Sequence, residues 1–398
     1  MKQDQCQFLI VGAGITGLAI ARELANRGIK DIMLLEKESS IGLHASGRNS
    51  GVLHAGMYYT PDTLKAKYCV EGNRLMKEFC QKKGLTLNET GKVILARNHF
   101  ETEALHELKR RADLCGARAI LIDNKKLSEF EPYATPCNEA LFSPDTAVIR
   151  PIEVLKALEN ELIQSGKGTI CYETAFMGLS EDHEAHTSKG AIQFEKFINA
   201  AGSYGDQIAH KCGLAKEYKT IPFKGTYKKL VPNRTFLVRG NIYPVPDLRT
   251  PFLGVHLTRS ADGEILVGPT AIPAFGRENY RAFEGLGREA LRILFWDWVL
   301  MLKNHKFRQV ALTEPKKYLK RFVLKEARKL VPALRLQDLT ETGHAGIRPQ
   351  LVHWPSKMLV MDYVVLYDGD SIHVLNPISP AFTTSLASAK DIVTKLLG

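Results

Sequence analysis

The sequence predicts an α/β protein in which a doubly wound, largely parallel sheet is interleaved with a second, α+β domain built on an antiparallel sheet. Three observations predict it. An apolar run, Phe8 to Val11, leads straight into glycines at positions 12, 14 and 17. A later run, Ala191 to Asn199, reads as a strand returning to the same sheet and ends in the small residues Ala200-Ala201-Gly202. Between about Cys212 and Pro269 the chain breaks into short strands separated by Pro and Gly turns, among them P-V-P-D and S-A-D-G.

In order along the chain, Phe8 to Val11 is apolar throughout, as a strand buried on both faces must be. The G-x-G-x-x-G spacing then assigns each glycine a task. Gly12 allows the tight turn, Gly14 lets backbone approach a pyrophosphate, and Gly17 lets the following helix pack on the strand, while the helix N-terminus supplies unpaired N–H groups. Leu18, Ala21, Arg22 and Leu24 carry that helix to a stop at Gly28. A second strand, Ile32 to Leu35, ends in Glu36, about twenty residues past the last glycine, where an acid accepts hydrogen bonds from ribose hydroxyls. Lys37 follows it in the same nucleotide-binding turn. Strand, glycines, helix, strand and acid in this order predict a Rossmann-like dinucleotide-binding unit.

After Glu36 comes a Gly/Ser-rich loop from Ser39 to Gly56 with hardly any periodicity, which can follow a longer ligand than a nicotinamide dinucleotide. Backbone N–H groups around Ser46, Asn49, Ser50 and Gly51, with the Arg48 guanidinium, would neutralise a pyrophosphate and continue toward a flavin ring. Val52, Leu53, Met57 and Tyr58-Tyr59 mark the loop's end as buried.

Further on, residues 88–96 alternate as a strand, 100–115 are helical, 118–122 are strand-like, Pro151 opens a helix to about Gly166, and 169–172 form another strand. The predicted division is 1–86, 145–212 and 337–398 for the nucleotide-binding domain, and 87–144 and 213–336 for the substrate domain. A basic helical region runs from about Arg277 to Leu330. Within it Leu291, Leu294, Phe295, Trp298 and Met301/Leu302 recur at helical spacing beside Lys303, His305, Lys306 and Arg308, with Lys316, Lys317, Lys320 and Arg321 beyond. The expected reading is a core-packing apolar face opposite a solvated basic one; an interfacial membrane contact is the competing reading.

Composition bounds the rest. At 398 residues, 44% hydrophobic and 24% charged, the chain fits a globular protein of two or three domains. Seven cysteines with neither C-x-x-C pairs nor metal-ligand spacing suggest a reducing compartment, and the polar start Lys2-Gln3-Asp4-Gln5 predicts a cytoplasmic protein. A net charge of +11 favours anionic partners, whether a small acid, an anionic membrane or a nucleic acid. No finger or RNP-type pattern supports the last, so nucleic acid is not expected.

The run H-A-S-G-R-N-S-G-V-L-H-A-G-M-Y-Y from His44, followed by L-K-A-K-Y-C-V-E-G-N-R, resembles the L-2-hydroxyglutarate oxidase/dehydrogenase family within the D-amino-acid-oxidase-like flavoproteins. Also similar are I-R-P at Ile149–Pro151, I-N-A-A-G at Ile198–Gly202, Y-P-V-P-D at Tyr243–Asp247, F-L-G-V-H-L-T-R at Phe252–Arg259 and the C-terminal P-I-S-P-A. The resemblance implies FAD, a 2-hydroxy acid substrate, and quinone or oxygen as the final acceptor. It also implies contact of Ala201 and Gly202 with FAD. Glycerol-3-phosphate and amino-acid oxidases share the frame and are the nearest rival readings, with a tRNA-modifying flavoprotein a further one. Arg48 stands where the family more often has His, and P-I-S-P where it often has P-S-P.

Oxidising an alcohol needs a base, an anion clamp and an electron sink. His54 ends the cofactor loop, and an imidazole can take a hydroxyl proton while hydride leaves the adjacent carbon. The histidine of a similar S-G-V-x-H motif plays this part in related glycerol-phosphate oxidases. Arg348, in a Gly346-containing run that resembles the family's glycine-arginine turn, is the candidate carboxylate clamp. His256, Arg259 and Lys224 are candidates for a second carboxylate. Ser379, as a helix cap with Pro380 at the first helical position and Ala381 after it, would aim a helix N-terminus at the flavin, and its hydroxyl is a candidate substrate contact. His44 lies in H-A-S-G, which resembles the H-A-A-G of sarcosine and dimethylglycine dehydrogenases, where a histidine holds FAD covalently; non-covalent FAD is expected here.

Overall fold

The computed structural model describes residues 4–180, 182–246, 253–281, 284 and 287–398. Asp247 and Phe252, the ends of two of the family-like segments, lie outside the described residues. The chain forms two compact units, one of residues 1–48, 151–222 and 348–398, the other of 49–150 and 223–347.

In the first unit the strand Gln5–Val11 lies between Ile32–Leu35 and Gly190–Asn199, parallel to both, with Ile10 opposite Leu34 on one side and Ile198 on the other. Gly168–Cys171 extends the parallel sheet beyond Ile32–Leu35, and Ser371–Val374 extends it beyond Gly190–Asn199. Four consecutive buried residues in Ile32–Leu35 reflect helices and loops on both faces. Leu9, Val11, Met33, Leu35 and Phe197 make the core of one face with Phe176 and Ile208. On the other face the helix Ile15–Asn26 packs against the helices Pro151–Gln164 and Ala381–Leu397. Arg22 pairs with Glu161 at 2.9 Å, and Arg27 reaches the Lys390 carbonyl at 3.3 Å.

The second unit is built on a large sheet in which Tyr218–Leu230 is followed in space by Ile265–Gly268, His256–Arg259, Asn241–Pro244, Lys92–Leu95, Ala140–Ser143 and Ile120–Ile122. All these neighbours run antiparallel except Asn241–Pro244 beside Lys92–Leu95, where Tyr243 lies opposite Ile94. Val93, Leu95, Ile242, Leu257 and Val267 face one core, shared with the helix Lys320–Ala327. Ile94 and Tyr243 face the other, with Met57, Tyr58 and the helix His99–Cys115.

Residues 49–86, expected in the nucleotide-binding domain, lie in the second unit. Val52–Leu53 pairs there with Ala147–Ile149, which also pairs with Leu87–Asn88. The helix Leu64–Lys83 packs on the helix His99–Cys115. Pairing with strands far along the chain leaves no local signature. A second correction concerns the helix Arg288–Lys303. Its buried stripe is Ala290, Ile293, Trp296, Asp297 and Leu300, whereas Leu291, Leu294, Phe295, Trp298 and Leu302 are exposed, Leu291 by 74%. The helix carries two apolar stripes, and the more hydrophobic one faces outward.

Candidate active site

The first unit carries the nucleotide turn. Gly12 has φ +103°, and a Cβ there would stand 2.7 Å from the Ala200 carbonyl oxygen. At Gly17 a Cβ would stand 1.9 Å from the Gly12 carbonyl oxygen, well inside any tolerable contact. Only hydrogen at both positions lets the helix start against the strand ends. The helix has no side-chain cap of its own, since Gly14 holds the cap position. Ser46 takes over from across the loop, its Oγ accepting from the Ile15 N–H at 3.0 Å. Glu36, at the end of Ile32–Leu35, accepts from the Ala13 N–H at 3.2 Å and the Glu38 N–H at 3.0 Å, which fixes its carboxylate beside the turn. A crowded glycine turn, a helix start and an anchored acid beside them form a cradle into which the pyrophosphate and ribose of FAD fit.

Around this cradle, Lys37 and His44 both engage Glu38, with His44 Nε2 2.9 Å from its carboxylate. The Lys37 ammonium beside it holds the Glu38 carboxyl below its ordinary range. Arg48 donates to the Leu43 carbonyl at 2.6 Å, and Ala201 N–H to Asn199 Oδ1 at 3.3 Å. Gly202 follows with φ +55°. Asn49, in the second unit, closes a turn by accepting from the Gly51 N–H at 2.9 Å. Ser50 hydrogen bonds to the Tyr227 hydroxyl.

Two expectations about the C-terminal third change. Gly346 and Arg348 lie inside a long strand, Leu339–His353, and not in a turn before the last strands. The strand is held by side-chain bonds to its neighbour, Thr340 Oγ1 to the Lys229 carbonyl and Thr342 Oγ1 to the Tyr227 carbonyl, and it runs unbroken through the Gly-rich segment. Ser379 does not cap the last helix. Pro380 holds the cap position, its carbonyl accepting from the Thr384 N–H at 3.1 Å, and the helix begins at Ala381 with no side-chain cap.

The second unit carries the titratable cluster, and strand pleat puts it together. Val93 and Leu95 face one core, so Lys92 and Ile94 face the opposite one. Register does the same for Tyr243 and His256, whose neighbours Ile242 and Leu257 face the first core. The Tyr243 and His256 rings stack with centroids 3.9 Å apart. Lys92, 1% exposed, sets its ammonium over the Tyr58 ring at 4.4 Å and the Tyr243 ring at 5.0 Å. Its Nζ has no hydrogen-bond acceptor among the described residues, nor does the buried Tyr58 hydroxyl have a partner there. Burial pulls the Lys92 ammonium down to about 7 and the His256 imidazole down to about 4.

His54 joins this cluster from the loop after Val52–Leu53. Its carbonyl accepts from Asn73 Nδ2 at 3.1 Å, and the same amide holds the carbonyls of Leu53 and Asp145, which fastens the loop to the helix Leu64–Lys83. The imidazole meets Tyr58 edge to face at 6.5 Å. Burial first, and then the positive charge of Lys92, His256 and Lys65, push it well below the ordinary histidine range. A neutral imidazole at physiological pH can accept a proton.

Among the candidates for a second carboxylate, Arg259 donates to the carbonyls of Thr235 at 3.0 Å, Gly263 at 3.2 Å and Val238, which fastens a loop. Lys224 donates to the Arg281 carbonyl at 3.2 Å, and His256 Nδ1 lies 2.8 Å from the Gly254 carbonyl. Lys92, Tyr58 and Tyr243 were not singled out as site residues by the sequence. The available signal was a lysine opening an apolar strand, K-V-I-L, where its two-residue spacing from Ile94 places an ammonium on a buried face.

The crowded glycine turn, the helix start and the anchored acid of the first unit are those of a protein that works with a dinucleotide cofactor. The profile of the FAD dependent oxidoreductase (DAO) family matches residues 7–395, and the chain belongs to that family and uses FAD. Within it the similarity is to L-2-hydroxyglutarate dehydrogenases. The chain is 35% identical to the Escherichia coli K12 enzyme, over 98% of this chain and 92% of that one. It is 37% identical to the mitochondrial enzyme of Caenorhabditis elegans, over 98% and 93%, and 33% identical to that of Homo sapiens, over 96% and 86%. Among solved structures, the L-alpha-glycerophosphate oxidase of Mycoplasma pneumoniae superposes with a TM-score of 0.80 at 24% identity, covering 99% of this chain and 95% of that one. It attests the fold.

Proposed function

We propose that the protein oxidises L-2-hydroxyglutarate to 2-oxoglutarate. Bound FAD supplies the two-electron acceptor. His54 takes the hydroxyl proton, and Arg348 pairs with the carboxylate next to the reacting carbon, fixing its orientation. Gly12, Gly14 and Gly17 with the helix start, Glu36, Ser46 and the Arg48–Gly51 segment hold the cofactor, and Ala201, Gly202 and the Pro380–Ala381 helix start complete its surroundings. FAD is held non-covalently, and His44 pairs with Glu38. The observation that carries the reading is the identity to L-2-hydroxyglutarate dehydrogenases along nearly the whole chain. The test is anaerobic mixing of the holoenzyme with L- and D-2-hydroxyglutarate, lactate, glycerol 3-phosphate and D-amino acids. Bleaching of the flavin by L-2-hydroxyglutarate in preference to the others is expected; preference for glycerol 3-phosphate or an amino acid overturns the reading.

A peripheral, cytoplasmic-face membrane contact with a quinone as acceptor fits the exposed stripe of the helix Arg288–Lys303. Phe295 and Trp298 are more than half exposed, and Arg292, Lys303, Lys306 and Lys316 lie exposed on the same helical segment and its continuation. Apolar side chains bordered by cations suit an anionic bilayer surface. No helix among the described residues is long and apolar enough to cross a membrane. Flotation with anionic vesicles, abolished by Phe295→Asp with Trp298→Asp, is the expected result. Failure of the unaltered protein to float at low salt refutes the contact.

A further inference from the structure

Lys92 is placed where a lysine is costly. An ammonium shut away from water normally has an acceptor or a counter-ion, and leaving one without either is strongly unfavourable. The faces of Tyr58 and Tyr243 offset part of that cost, but a ring face accepts no hydrogen bond of ordinary strength, so three N–H donors stay unused among the described residues. The hydroxyl of Tyr58, also buried, is a second unused donor on the same small patch. Two donor groups, one of them an amine that an arriving anion would hold protonated, beside a proton acceptor describe a receptor for an anion with more than one oxygen. Arg259, Lys224 and His256 do not fit this role. Arg259 and Lys224 donate to backbone carbonyls, and the His256 ring is stacked on Tyr243.

We propose that the Lys92 ammonium, together with the hydroxyl of the tyrosine on whose ring it rests, receives the distal carboxylate of the substrate and makes the protein selective for a dicarboxylate. The inference rests on the functional reading above and deepens it, because Arg348 there takes only the carboxylate next to the reacting carbon. It also resolves a conflict within the cluster. A positive Lys92 opposes protonation of His54, and an anion arriving on Lys92 cancels that opposition, so the base gains its proton affinity when a dicarboxylate is bound.

The experiment compares L-2-hydroxyglutarate with its 5-amide, which keeps the reacting end and loses the distal charge, in the unaltered holoenzyme, Lys92→Met and Lys92→Arg. A charge-assisted hydrogen bond predicts a kcat/KM preference for the dicarboxylate of about ten- to a hundredfold in the unaltered enzyme. That preference falls to near one in Lys92→Met, mainly through KM, and is largely kept in Lys92→Arg. Equilibrium binding of 2-oxoglutarate and its 5-amide, followed by the shift of the flavin absorbance, should report the same selective loss. If Lys92→Met fails to retain flavin, Lys92→Gln is read in its place. An undiminished preference in the neutral variant, or an equal fall for both compounds, overturns the proposal. An unaltered holoenzyme whose flavin L-2-hydroxyglutarate does not reduce sinks the functional reading itself, and this inference with it.

Discussion

Replacing Lys92 by methionine should make the folded protein more stable at neutral pH while it impairs substrate selection. Burial lowers the ammonium from 10.5 to about 7, a displacement that at ~1.4 kcal/mol per unit corresponds to ~5 kcal/mol of electrostatic penalty at most. The sign follows from proton binding. Between about 7 and 10.5 the unfolded chain holds a proton that the folded protein has released, so stability rises with pH across that window, and the full penalty is present below it. Methionine has similar length and no charge, and even buried ion pairs can be replaced by apolar side chains of similar volume with a gain of about 1–4 kcal/mol. The assay is urea unfolding of the holoenzyme and of Lys92→Met at pH 7 and pH 9.5. The variant should gain at pH 7, and the gain should shrink to ~1 kcal/mol at pH 9.5, one unit below the unfolded value. A variant less stable than the parent at pH 7, or a gain of the same size at both pH values, refutes the reasoning.

His54→Asn should lower turnover by about a hundredfold or more with flavin content unchanged, since a general base contributes on that scale; near-normal turnover in a flavin-replete variant removes the assignment. Arg348→Met should raise KM and lower kcat together, as expected when one contact both binds and orients, and steady-state kinetics with L-2-hydroxyglutarate checks it. Gly17→Ala should strip the protein of flavin. Its new methyl would stand 1.9 Å from the Gly12 carbonyl oxygen, and overpacking of this kind costs about 1–3 kcal/mol or more, concentrated at the pyrophosphate turn. The absorbance ratio of flavin to protein after purification reports the loss.

Where sequence and fold agree, the cause is local. The strand, glycine turn, helix, strand and acid from Phe8 to Glu36 are set by neighbours within a few residues, and so is the helix His99–Cys115 with its Asn98 cap. Where they part, the cause is distant. Val52–Leu53 joins the second unit because of Ala147–Ile149, almost a hundred residues on, and no window of sequence contains both. Arg348 continues a strand despite nearby glycines, because a neighbouring strand holds it. Helical spacing found the stripe of Leu291, Leu294, Phe295 and Trp298 in Arg288–Lys303 but missed the second one, Ala290, Ile293, Trp296 and Leu300, which the core takes. The cluster around His54 was half legible. The histidine ends a recognisable loop, whereas Lys92 becomes conspicuous only when strand register brings Tyr243 and His256 to its side.

That register has a consequence for how this stretch of chain can evolve. Side chains on a strand alternate faces, so a one-residue slip of Lys92–Leu95 against its neighbours would take the ammonium out of the space it holds and turn the lysine toward Ile242, Leu257 and Val267. Here the backbone works as a ruler with two-residue graduations, and tolerated length changes come in pairs or not at all.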